Sequence, residues 1–235
     1  MSNSQAPKST KSSKASTLPP PSNPPKPSSL SSHLAMVELK QRILTSLSKL
    51  SDRDTYQIAV DDLENIIQSL SHDSLPMLLN CLFDSFNDPK PAVKKESLRL
   101  LSMLCNCHGE LAASHLTKII ANIVKRLKDA DSSVKDACRD SIGALSWQYL
   151  KGESGGTVVG LFVKPLFEAM GEQNKGVQSG AATCMAKMVE CAADPPLAAF
   201  QKLCPRICKL LNNQNFIAKA SLLPVVASLS QVCAM

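Results

Sequence analysis

Four stretches of this chain lie on one another at steps of 41, 43 and 41 residues, with Val93, Val134, Val177 and Ala218 as equivalent anchors. Eight residues past each anchor stand Leu101, Ile142, Met185 and Val226; eleven past stand Leu104, Leu145, Met188 and Leu229. Asp131, Asn174 and Asn215 lie three residues before the last three anchors, and Asp88-Pro89 lies just upstream of the first. A weaker fifth copy precedes them, with Thr55 as anchor, Leu63 and Ile66 inside, and Asp52 three residues before. A period of about 40 with apolar residues at i, i+3, i+4 and i+7 fits stacked helical hairpins, because one hairpin cannot bury its apolar face alone. The expected fold is all-α: a solenoid of about five HEAT-like hairpins, preceded by a disordered tail.

Composition changes sharply near residue 33. Residues 1–33 hold 11 Ser, 7 Pro and four Lys (Lys8, Lys11, Lys14, Lys26), with no acid and no aromatic. Such a stretch buries too little apolar surface to offset the entropy of ordering, so disorder is expected over 1–33 and a folded body over 34–235. The tail supplies +4 of the formal +6 charge, so the basic balance is not the mark of a nucleic-acid-binding body. A cationic tail beside a polyanion adds attraction that weakens with salt, although a solubilising or phosphorylatable leader reads equally well. No apolar h-region opens the chain, and no apolar run approaches the roughly 20 residues of a membrane span. The expectation is a soluble, intracellular chain with its nine Cys mostly reduced, Cys138, Cys184 and Cys204 acting as small apolar residues.

Punctuation agrees with the period. Asp73-Ser74 before Leu75-Pro76 predicts a cap followed by a first-turn proline, and Asn87-Asp88-Pro89-Lys90-Pro91 ends that helix. Second helices are expected over Val93–Cys105, Val134–Tyr149, Val177–Cys191 and Phe216–Val232, with first helices over Leu161–Met170 and Phe200–Leu211 in the last two hairpins. Lys151-Gly152-Glu153-Ser154-Gly155-Gly156 reads as a flexible connector and Asp194-Pro195-Pro196 as a stiff one. Leu222, Leu223, Val225, Val226 and Leu229 spread round more than one face of the last helix, which predicts a further repeat beyond it or self-association there.

No catalytic constellation is legible, and no enzyme activity or cofactor is expected. The glycine-rich run departs from G-x-S-x-G, and no phosphate-binding glycine loop occurs. Cys105-Asn106-Cys107-His108 offers zinc-type ligands at the wrong spacing and without a second pair, so buried Cys beside a helix-end His is the better reading. Trp147 and Tyr149 read as packing between repeats.

The turns are more informative. Turns at equivalent positions line one edge of a solenoid, and along it come Arg53, Lys90 with Lys94 and Lys95, Lys128 with Lys135, Lys175, and Lys219. Lys94, Lys135 and Lys219 each stand one residue past an anchor, where Gln178 stands in the fourth copy. Cations are unfavourable at a helix N-terminus, so their recurrence favours a partner with an extended acidic surface over plain solvation.

Asp88-Pro89-Lys90-Pro91-Ala92-Val93-Lys94-Lys95-Glu96, His115-Leu116-Thr117-Lys118-Ile119-Ile120, Phe162-Val163-Lys164-Pro165-Leu166 and Phe200-Gln201-Lys202-Leu203-Cys204-Pro205 carry a family resemblance. With Leu39–Leu44, Leu50–Thr55 and Asn174–Gln178, they resemble the N-terminal HEAT/TOG-like domain of plant Tortifolia-type (Spiral family) microtubule-associated proteins, over about residues 34–235. The resemblance implies a non-enzymatic protein of the cytoplasmic cytoskeleton. It would bind tubulin or microtubules and organise cortical arrays, with no nucleic-acid or membrane partner. It implies that Arg53, Lys90, Lys94, Lys95, Lys128, Lys135, Lys175 and Lys219 face tubulin. Many TOG domains present a tryptophan from the first turn; this chain has Arg53 and Tyr56 there, which implies weaker affinity for the tubulin dimer. The alternative is a general HEAT/armadillo adaptor whose second-helix face takes a peptide, a cargo or an actin-linked partner.

Overall fold

The computed structural model describes residues 29–234. The expected disorder of the tail falls largely on residues 1–28, outside the described residues. The first helix begins at Ser29, so residues 29–33, placed in the tail by composition, are helical.

Five hairpins follow in order. They are α1 (Ser29–Lys49) with α2 (Tyr56–Gln68), α3 (Leu75–Ser85) with α4 (Pro91–Cys107), and α6 (Leu116–Lys125) with α7 (Ser132–Tyr149). Then come α8 (Gly152–Met170) with α9 (Lys175–Cys191), and a broken pair: α10 (Leu197–Gln201) and α11 (Cys204–Asn212) against α12 (Leu223–Cys233). A single turn of helix, α5 (Gly109–Ala113), joins the second hairpin to the third. No β-strand occurs among the described residues; one isolated bridge pairs Lys151 with Asp194. Second helices stack in sequence, α2 on α4, α4 on α7, α7 on α9 and α9 on α12. The repeat period exists because each of these helices must cover the next. Leu101, Ile142, Met185, Leu104, Leu145 and Met188 are all fully buried along that stack.

Three expectations need correction. The glycine run after Lys151 is the start of α8, not a flexible connector. Gly152 takes φ +56°, a left-handed conformation that glycine adopts without strain, and its N–H donates to Asp194 O at 2.8 Å. A Cβ on Gly155 would stand 3.0 Å from the Leu150 backbone, so glycine there permits a close crossing rather than motion.

The last hairpin departs from the expected pair of continuous helices. Pro205 and Pro224 each occupy the first turn of a new helix, α11 and α12. A proline has no N–H for the preceding turn and crowds it, which favours a new start at Pro205 and Pro224, although α8 runs on through Pro165. Residues Lys219–Leu222 form a 3-10 turn instead.

At Leu75-Pro76 the first-turn proline is present, but Ser74 makes no side-chain cap. Its hydroxyl lies 2.8 Å from that of Ser71, within a 3-10 turn. Asp131 and Asn174 do cap, accepting the N–H of Ser133 at 2.8 Å and of Gly176 at 2.8 Å. This cap explains Asp131 and Asn174 three residues before their anchors, whereas no α-helix starts beside Asn215.

Candidate partner-binding edge

Consecutive turns touch. Arg126, at the third turn, donates to Phe86 O of the second at 2.9 Å. Lys128 pairs with Glu172 of the fourth turn at 3.0 Å, and Gln178 Nε2 donates to Asn215 O of the fifth at 3.0 Å. The turns therefore form one continuous edge from the second hairpin to the fifth.

The residue one past the anchor ties neighbouring repeats together in three copies, at Tyr56, Lys94 and Gln178. Tyr56 donates its hydroxyl proton to Glu96 at 2.6 Å, 40 residues on. Lys94 Nζ meets Asp129 Oδ2 at 2.7 Å, with only 15% and 12% of the two side chains exposed. Lys135 is half-buried, and its ammonium lies 3.3 Å from the point a Cβ on Gly176 would occupy. Gln178, 1% exposed, accepts from the N–H groups of Ile217 and Ala218 and donates to Glu172 O and Asn215 O. Neutral Gln replaces Lys at this position because the groups it meets in the next turn are backbone N–H and C=O, not a carboxylate.

The environment follows. Burial, helped by Glu96, pushes the Tyr56 phenol up to about 12. Burial alone would raise the Asp129 carboxyl, but Lys94 and the Asp131 N–H hold it below the ordinary aspartate range.

The eight expected partner-facing cations thus divide. Arg53, Lys90, Lys95, Lys175 and Lys219 are exposed and form no ion pair among the described residues. Lys128 is exposed but engages Glu172. Lys94 turns inward onto Asp129, and Lys135 leans onto the start of α9. Lys95 lines a groove between α4 and α7 with Arg99 and Asp140, so it sits beside the edge rather than on a turn. Tyr56 is committed to Glu96 and is not presented outward.

Acids in the turns are consumed as acceptors. Asp52, Asp88 and Asp129 each take the N–H two residues on, that of Asp54, Lys90 and Asp131. On the second-helix face most charges are mutually paired, Lys95 excepted. Arg99 bonds Glu64 and Glu96, Arg139 bonds Asp136 and Asp140, and Lys187 bonds Glu190.

Other singled-out residues resolve plainly. Tyr149 packs between repeats, donating to Gly109 O at 3.0 Å, whereas Trp147 is 53% exposed beneath the Lys151 ammonium. His108 ends α4 with Nε2 at 2.6 Å from Ile67 O. Cys105, Cys138 and Cys184 are buried, but Cys204 is exposed, against expectation. Burial pushes the Cys105 and Cys138 thiols up to about 12. No three His, Cys, Asp or Glu side chains among the described residues converge to hold a metal ion. No described helix is long and apolar enough to cross a membrane.

Stacked hairpins whose turns join into one edge define a HEAT-type helical-repeat protein, which offers partners an extended surface rather than an enclosed pocket. The family described as TORTIFOLIA1 N-terminal matches residues 37–235, and the chain belongs to that family. It is 71% identical over 214 residues to the Arabidopsis thaliana microtubule-associated protein TORTIFOLIA1, covering 88% of this chain and 25% of that protein. It is 66% identical to Arabidopsis thaliana TORTIFOLIA1-like protein 1, over 88% of this chain and 26% of that protein. The chain thus spans about a quarter of the length of these relatives. Among solved structures, a designed armadillo repeat protein in complex with a (KR)4 peptide has 16% identity and a TM-score of 0.42, covering 86% of this chain and 95% of that one.

Proposed function

We propose that this chain binds the surface of microtubules or tubulin through its turn edge, as part of a cytoskeletal protein that organises microtubule arrays. The observation that carries this reading is the contrast in charge pairing. On the second-helix face Arg99, Arg139 and Lys187 are paired with neighbouring carboxylates and Lys95 is not, while Arg53, Lys90, Lys175 and Lys219 all stand unpaired along the turns. Unpaired surface cations act on an acidic partner at a distance, raising encounter rate in a salt-dependent way. The relative named microtubule-associated supports the choice of polymer. Lys94 serves the edge indirectly, by pairing with Asp129 of the next turn.

Co-sedimentation with stabilised microtubules at graded salt tests it. The chain is expected to pellet at low ionic strength and progressively less as salt rises; no pelleting at low ionic strength overturns the reading. The exposed Leu223 and Val226 of α12 extend the proposal to self-association at that end. Sedimentation velocity at rising protein concentration checks this, and a monomer throughout contradicts it.

A further inference from the structure

The last hairpin brings three thiols to one groove of about 260 Å³: Cys204 and Cys208 from α11, and Cys233 from α12. Because α11 and α12 run antiparallel, the first residue of one lies beside the last residue of the other. The Cys204 and Cys233 side chains both line this groove, with Ser230 and Leu229 of α12 beside them. Cys204 is exposed and Cys233 half-exposed, so an oxidant in solution reaches both. Cys204 opens the nine-residue helix α11. Cys208 lies one turn further along α11.

We infer that Cys204 and Cys233 form a peroxide-driven disulfide that ties α11 to α12. The Cys204 thiolate attacks one peroxide oxygen and the O–O bond breaks. Cys204 becomes the sulfenic acid, and the hydroxide released takes up a proton to give water. The Cys233 sulfur then attacks the sulfenyl sulfur, the S–O bond breaks, and the oxygen leaves as a second water with the Cys233 proton. Two thiols and one hydrogen peroxide thus give one disulfide and two waters.

The placement gives the bond a structural purpose. Helix α11 buries only Ile207 and packs chiefly on α12 and the 3-10 turn before it. A covalent tie across the hairpin closes the loop carrying the fifth turn and restricts its opening. This inference is independent of what the turn edge binds.

Trypsin separates the three thiols, since Cys204 falls in residues 203–206, Cys208 in 207–209 and Cys233 in 220–235. The reduced, native chain is treated with hydrogen peroxide, blocked with N-ethylmaleimide and digested. The expected product is a reductant-sensitive link between 203–206 and 220–235, formed within one chain. It persists in Cys208→Ser and disappears in Cys204→Ser and Cys233→Ser. A link from Cys233 to Cys208, a link between chains, or separate maleimide adducts on Cys204 and Cys233 after peroxide would each overturn the inference. The wild-type digest decides the matter without any variant.

Discussion

The side-chain oxygen of Gln178 accepts the backbone N–H of Ala218 at 3.1 Å, across 40 residues of sequence. The same carboxamide satisfies Ile217 N–H and two carbonyls, so a single buried side chain closes the fifth turn onto the fourth. Tyr56 and Lys94 perform the corresponding task for earlier repeats with a phenol and an ammonium. A repeat array holds together by such neighbour terms, so each stitch is a local point of failure.

Replacing Gln178 by Leu leaves the N–H groups of Ile217 and Ala218 without their acceptor. Each unpaired buried donor costs about 1–3 kcal/mol, so the loss expected for the two is roughly 2–6 kcal/mol. Urea unfolding reads the total. Native-state hydrogen exchange should show the fastest gain at residues 217 and 218; uniform change across the chain would contradict a local stitch.

The Lys94–Asp129 pair predicts both a coupling and a pH dependence. A double-mutant cycle with Lys94→Met and Asp129→Asn should give a coupling of about 1–2 kcal/mol, above the usual exposed pair because both side chains are largely covered. Asp129 and Asp62 both titrate below the usual 3.8, Asp62 chiefly through its bond to Arg42. A carboxyl whose folded value is depressed stabilises the fold above its unfolded value, and that contribution is lost as pH falls through the folded one. Stability should therefore fall from about pH 5 downwards, and less steeply in Asp129→Asn. An identical acid limb in that variant would refute the assignment.

Glycines in α8 should respond oppositely to alanine. Gly160 is exposed, with nothing within 4 Å of a new Cβ, so Gly160→Ala should stabilise by about 0.5–1 kcal/mol. Gly155→Ala places a methyl 3.0 Å from the Leu150 backbone and should destabilise by more than about 1 kcal/mol. Thermal melts of the two variants in parallel check the sign of each.

Much of the fold was legible because the repeat is written in residues that must be buried. Val93, Val134, Val177 and Ala218 are all inside, as are the positions eight and eleven beyond them in the first three copies. The fourth copy slips: Val225 is buried, while Val226 is 39% exposed. Pro224 delays the start of α12, and its signal was present in the sequence, as was that of Pro205. The glycine run misled because glycine marks both loose connectors and tight crossings, and only the position of Leu150 distinguishes them. Lysine identity likewise could not say which way a side chain turns. Lys94 reads like Lys90 in sequence, yet it has a carboxylate across the repeat boundary, 35 residues on.

Charge reversal at Lys94 is accordingly expected to report on folding. A Lys94→Glu chain would place two carboxylates together at the third turn and should lose thermal stability before any effect on binding is read. An unchanged melt would mean that the pair contributes nothing to the stack.

On the proposed reading, position along the turns, not total positive charge, recruits the acidic polymer. Two triple variants with the same charge change separate these: Lys90→Glu, Lys175→Glu, Lys219→Glu on the edge, and Lys40→Glu, Lys164→Glu, Lys202→Glu on exposed parts of the first-helix layer. Co-sedimentation with microtubules at fixed low salt should show affinity falling about tenfold or more for the edge variant and little for the other. Equal losses in both, or binding retained by the edge variant, would contradict the account.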